Sequence, residues 1–152
     1  MTAIILALVT MFAQQSAAER KMNLNAMMLE APNTRTIEKG DQSNIDEARQ
    51  VLVRTDAEWT TLWQQHATNR PRPAVDFSKE MVVGLFMGSR PSAGFSTAVI
   101  SATAGNGALM VRYSETMPSG RGVSAQVLTF PFHLVAIPKA AVTDVKFEKV
   151  AR

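Results

Sequence analysis

Two side chains in this chain have an ordinary pKa near neutrality, His66 and His133, and either would be the natural general base of an active site. His66 follows Trp59, Leu62 and Trp63 at helical spacing, on the apolar face of a helix, and reads as a packing residue. His133 alternates with Leu134 in a strand-like run and reads as a core or edge histidine. They lie far apart in sequence with no nearby carboxylate cluster, so they do not make a zinc site. The chain has no cysteine, which removes disulfides, thiol catalysis and zinc–thiolate sites together. None of its serines sits in a Gly-x-Ser-x-Gly elbow. Gly88 to Gly94 follows a strand but lacks Gly-Lys-Ser/Thr and leads into another strand, so it has no helix N-terminus to hold a phosphate. Gly120-Arg121-Gly122 reads as a flexible turn. Asp76 and Glu80 flank Phe77-Ser78-Lys79; a turn is the plain reading, a paired acid–base role the alternative. The nine methionines show no Met-x-x-Met beside histidine and read as core filling rather than a copper site. The residues thus point to no catalytic group, no metal and no cofactor.

Those side chains must be positioned by a domain of modest size. Apolar residues make up 46% and charged residues 19%, a globular and not a disordered composition. The 16 basic and 13 acidic residues leave a mild excess with no run of like charges, so the clustered basic stripe of a nucleic-acid binder is missing. Ile4 to Phe12 is an apolar stretch of signal-peptide length, too short to span a bilayer. Ser16 and Ala18 then supply the small-x-small pattern that signal peptidase reads, placing cleavage after Ala18. Met1-Thr2-Ala3 carries no Lys or Arg, so only the amino terminus supplies charge; a buried first element of the domain is the alternative. No cysteine follows to carry a lipid, so the expectation is an exported, periplasmic or extracellular protein with no membrane anchor once residues 1–18 are removed. Residues 19–44 read as a linker or first strand, and 45–152 as the domain proper.

Within that domain Thr34 to Lys39 and Ala48 to Arg54 read as strands. Thr55-Asp56-Ala57-Glu58 is a capping box that opens a helix running to about Ala67, and Arg70-Pro71-Arg72-Pro73 ends it. Met81 to Met87 is apolar throughout, as for a central strand. Phe95 to Ser101 and Ala108 to Ser114 flank Gly105-Asn106-Gly107, the strongest hairpin signal in the chain. Val123 to Leu128, Phe132 to Ile137 and Val145 to Val150 read as further strands, with Pro131 at a bend or edge. The expected fold is α+β, one helix packed on a mainly antiparallel, curved or barrel-like sheet laid out as a long meander.

Several linked pieces resemble the PrcB C-terminal domain family. They are Trp59 with Leu62-Trp63, Val75-Asp76-Phe77-Ser78-Lys79 before the strand Met81 to Phe86, the Gly88-x-Arg90-Pro91-x-x-Gly94-Phe95 loop, and the run Val127 to Pro138. The resemblance covers about residues 45–140. It implies a non-catalytic subunit that associates with a secreted subtilisin-type protease and supports its assembly, and it carries over no catalytic residue. The loop Pro91-x-Ala93-Gly94-Phe95 is also similar to the Pro-x-Thr-Gly-Tyr loop of chagasin-like cysteine protease inhibitors, with Ala93 where that motif has Thr.

In a meander, alternate turns fall at the same end of the sheet. Loops 88–94 and 115–122 would then lie together and gather Arg90, Pro91, Gly94, Phe95, Met117, Pro118 and Arg121 into a protein-binding patch. The expected function is an exported binding domain whose partner is a protein, such as a secreted protease. The alternative is a protease inhibitor acting through the same two loops.

Overall fold

A strand that is apolar at every position needs a layer on each of its faces, and Met81 to Met87 has both. The computed structural model describes residues 34–151; the expected signal segment 1–18 and residues 19–33 lie outside them. The elements run β1 (Arg35–Gly40), β2 (Ala48–Val53), α1 (Asp56–His66), β3 (Glu80–Met87), β4 (Ser96–Gly105), β5 (Ala108–Thr116), β6 (Phe132–Pro138) and β7 (Asp144–Lys149). They form a four-stranded sheet in the order β1-β6-β3-β2 and a three-stranded sheet in the order β4-β5-β7.

Side-chain alternation divides the core between the layers. Val82 and Phe86 of β3 and Phe132 and Leu134 of β6 face α1, where they pack on Trp59, Leu62 and Trp63. Met81, Val83 and Leu85 of β3 and Val135 and Ile137 of β6 face the second sheet, where they meet Val99, Leu109, Val111 and Tyr113. The order is therefore helix, four-stranded sheet, three-stranded sheet. The capping box forms as expected: the Glu58 amide donates to Thr55 Oγ1 and the Glu58 carboxylate accepts from the Thr55 amide. Trp59 and Trp63 are buried, and their indole N–H groups donate to the carbonyls of Pro73 and Arg70. The helix core thus also ties down the proline-rich connection that follows it.

Three expectations are corrected. The sheets stack and do not close into a barrel, although the α+β class holds. The chain is not a meander: β3 and β4 lie in different sheets, β6 inserts between β1 and β3, and β7 runs parallel to β5. Alternation tells which face each residue takes but not which strand lies alongside. Residues 123–128 form no strand. Among the described residues this stretch has no ladder partner, and Val123, Val127 and Leu128 stay exposed. Isolated bridges, Arg90 with Thr129 and Gln42 with Phe130, anchor its end. One hairpin stands as read: β4 and β5 join through Asn106 (φ 52°) and Gly107 (φ 74°), the two positive φ angles of a type I′ turn.

Candidate functional site

The grouping of the two loops survives the loss of the meander because the β4–β5 hairpin alone secures it. Ser96 pairs with Thr116, so the loop entering β4 and the loop leaving β5 start from the same end of the ladder. Gly94 sits on Pro118 with φ +95°, and a Cβ built on it would lie 3.1 Å from Pro118 Cγ. A larger residue at 94 would meet both a strained backbone and the proline ring.

The loop after β3 is pinned from its other side. The Arg90 amide donates to the Thr129 carbonyl (2.8 Å) and the Thr129 amide donates back to the Arg90 carbonyl (2.9 Å). The Ala93 amide donates to the Ala125 carbonyl, and the buried Thr129 hydroxyl donates to the Ser92 carbonyl. Residues 123–129 thus lie against loop 88–94 without forming a strand. The Arg90 guanidinium stands 5.8 Å from the centroid of the Phe95 ring, a cation–π distance, and its buried Nε has no hydrogen-bond partner among the described residues.

Of the expected site residues, Gly94 with Pro118 and Arg90 with Phe95 are in contact. Phe95 and Pro118 are half-buried, Pro91 and Arg121 are exposed, and Met117 is 72% exposed. The nearby carboxylate of Glu115 is taken by Lys149 (2.5 Å), whose pKa that pairing raises. Neither Arg90 nor Arg121 forms an ion pair among the described residues. Sequence reasoning missed Val123, Val127 and Leu128. All three are exposed, and they extend the patch from the loop that Ala93 and Ser92 hold. Their apolar spacing had suggested a strand; the missing signal was a partner to pair with.

The histidines have structural surroundings. His133 lies between the sheets: its Nδ1 accepts the Val99 amide (2.9 Å), beside the bulge in β4, so its Nε2 carries the proton and donates to Thr36 Oγ1 (3.0 Å). Burial first, and the Lys39 charge second, lower its pKa to about 4. His66 is buried against Phe132, with ring centroids 4.3 Å apart. Its Nδ1 lies 2.8 Å from Ser43 Oγ, while Glu38 and Arg70 meet its Nε2. This reverses a hydrolase triad, in which the base faces serine through Nε2. The buried Ser43 Oγ also accepts the Ile45 amide, and the Asn44 amide donates to the His66 carbonyl. The cluster ties the β1–β2 connection to the end of α1. Burial lowers the His66 pKa against the opposing pull of Glu38.

The acid–base alternative at Asp76 and Glu80 is occupied by structure. Asp76 Oδ1 accepts from the Ser78 amide and hydroxyl, which lowers its pKa, and Glu80 pairs with Arg35 at 2.8 Å. A general acid would need the opposite shift.

Residues 81–138 match the family model described as PrcB C-terminal, the family that the quoted residues resemble. The matched stretch runs from β3 to β6 and contains the whole loop patch. No curated protein and no solved structure matches the chain.

Proposed function

We propose, from the match of residues 81–138 and the patch inside it, that this chain is a non-catalytic, exported binding domain that associates with a protein partner through the loop end of the β4–β5 hairpin. The observation that carries the reading is the composition of that end. Arg90 and Arg121 stand without a carboxylate partner among the described residues, beside exposed Met117, Val127 and Leu128. Arginine and large apolar groups that meet on a rigid frame are the residue types that anchor protein interfaces. The PrcB resemblance supports a secreted subtilisin-type protease as the partner. The histidines and the Asp76–Glu80 pair are each engaged in packing or local hydrogen bonds, which supports a role without chemistry.

Two measurements test this reading. Native protein recovered from the culture fluid should have the intact mass of residues 19–152; an uncleaved species confined to the cytosol would refute export. Immobilised protein should retain a secreted protease, and the double variant Arg90→Ala with Arg121→Ala should retain at least about tenfold less while its thermal midpoint stays within a few degrees. Equal capture by the variant would place the interface elsewhere. Assay of the retained protease separates the two modes: assembly support leaves it active, whereas the inhibitor reading requires it to be blocked.

A further inference from the structure

The four sheet edges are not alike. Edge strand β1 is bulged between Thr36 and Glu38, and β4 between Val99 and Ser101. Edge strand β7 exposes alternating charges at Asp144, Lys146 and Glu148. Bulges and charged side chains are the usual guards against pairing with another chain. β2 has no bulge: it pairs with β3 over six consecutive residues without a register shift, it contains no proline, and its one charged residue is Arg49. Among the described residues, 48–53 make no backbone hydrogen bond except to β3.

Beside this edge lies a groove of about 420 Å³ between β2 and α1. Val51, Val53 and Leu62 supply its apolar surface, with Glu58 on the helix side. Arg49 and Gln65 close one end, where Arg49 Nη2 donates to Gln65 Oε1 (2.6 Å) and the guanidinium stands 5.7 Å from the Phe86 ring centroid. Arg49 Nε is buried and has no hydrogen-bond partner among the described residues. Arg54 stands at the other end of β2, and neither arginine is ion-paired among the described residues, although Asp46 and Glu47 precede the strand. The Glu58 carboxylate is engaged by the Arg54 and Thr55 amides.

The geometry points to a second binding site, distinct from the loop end: an extended acidic–apolar peptide adds as a strand to the free edge of β2. Main-chain hydrogen bonds to an open edge select an extended backbone, and pockets for alternate side chains select the sequence. Arg49, Val51 and Val53 share one face of β2. The peptide residues opposite them share a face too, so an acidic side chain at Arg49 lies two positions from the apolar side chain that enters the groove.

The probe is a fluorescein-labelled, end-capped heptapeptide, Thr-Glu-Thr-Val-Thr-Val-Thr, and the control is its isomer with the glutamate moved one position onto the opposite face. Binding to the full chain is followed by fluorescence anisotropy, and amide exchange locates the site. The probe should bind saturably and protect amides in 48–53. The isomer, Arg49→Glu and Ala57→Trp, which fills the groove from the helix side, should each weaken binding about tenfold. Arg49→Glu keeps the test open if Ala57→Trp lowers the thermal midpoint. The Arg90→Ala, Arg121→Ala pair should bind the probe as wild type, so failure here is separable from failure of the loop reading. Equal binding of both peptides, unprotected 48–53 amides, or wild-type binding by both groove variants would overturn the proposal. So would a peptide-free dimer that protects 48–53, which would make a second copy the occupant.

Discussion

His133 joins three strands by two hydrogen bonds, and its protonation state is therefore a stability term. Val99 needs an acceptor at Nδ1, which the charged imidazolium cannot offer. The folded pKa of about 4 lies below the ordinary 6.5, so between these values the unfolded chain binds the extra proton. Stability contributed by neutral His133 is present above about pH 6.5 and is lost as pH falls towards 4. A gap of about 2.5 pH units at about 1.4 kcal/mol each gives an upper bound of about 3.5 kcal/mol. Urea midpoints from pH 7.5 to 4.5 should fall for the wild type and flatten in part for His133→Gln, with His66 keeping the remainder. An unchanged slope in the variant would contradict this assignment. Trp63 offers a second test at the same scale. It packs on Trp59 (5.4 Å between centroids) and His66 (5.3 Å) and holds the Arg70 carbonyl. Trp63→Ala should cost about 3–5 kcal/mol in chemical denaturation. A loss below about 1 kcal/mol would mean that this face of α1 is not the anchor of the outer layer.

Among the elements, α1 and the β4–β5 hairpin were legible before the structure because their signals are local. Thr55 and Glu58 define the helix start by bonding to each other's backbone, and Asn106-Gly107 fixes a turn whose strands must then pair. The loop patch was legible through that same turn: the hairpin needs only its own register to bring Gly94 to Pro118. Residues 123–128 show the opposite case. Alternating apolar residues become a strand only when a neighbour accepts their hydrogen bonds, and the partner that the sequence suggested, a continuing meander, does not exist. The result is a segment fastened at Ala125 and Thr129 with Val127 and Leu128 left outward.

At the scale of the whole molecule, β3 and β6 are the strands covered on both faces, by α1 on one side and the second sheet on the other. Local opening costs most where the most apolar surface would be exposed. Amides of 81–86 and 132–137 should therefore exchange most slowly, near the global unfolding limit, and those of 117–128 fastest. Slowest exchange in β4 and β5 instead would mean that the second sheet, not the first, is the stable centre.

The sequence by itself determined the helix and the strands that form among the described residues, though it also suggested one over 123–128 that does not, together with the helix cap, the hairpin turn and the double burial of the Met81–Met87 run. Each follows from period, propensity or a bond within a few residues. Tertiary structure alone decided that β6 lies between β1 and β3, that β7 joins β5 in parallel, and that His133 bridges the layers. The physical reason is that strand neighbours are chosen by hydrogen bonds between backbones, which are the same at every residue. Which strand wins depends on the burial that the whole assembly achieves, and no single segment encodes that.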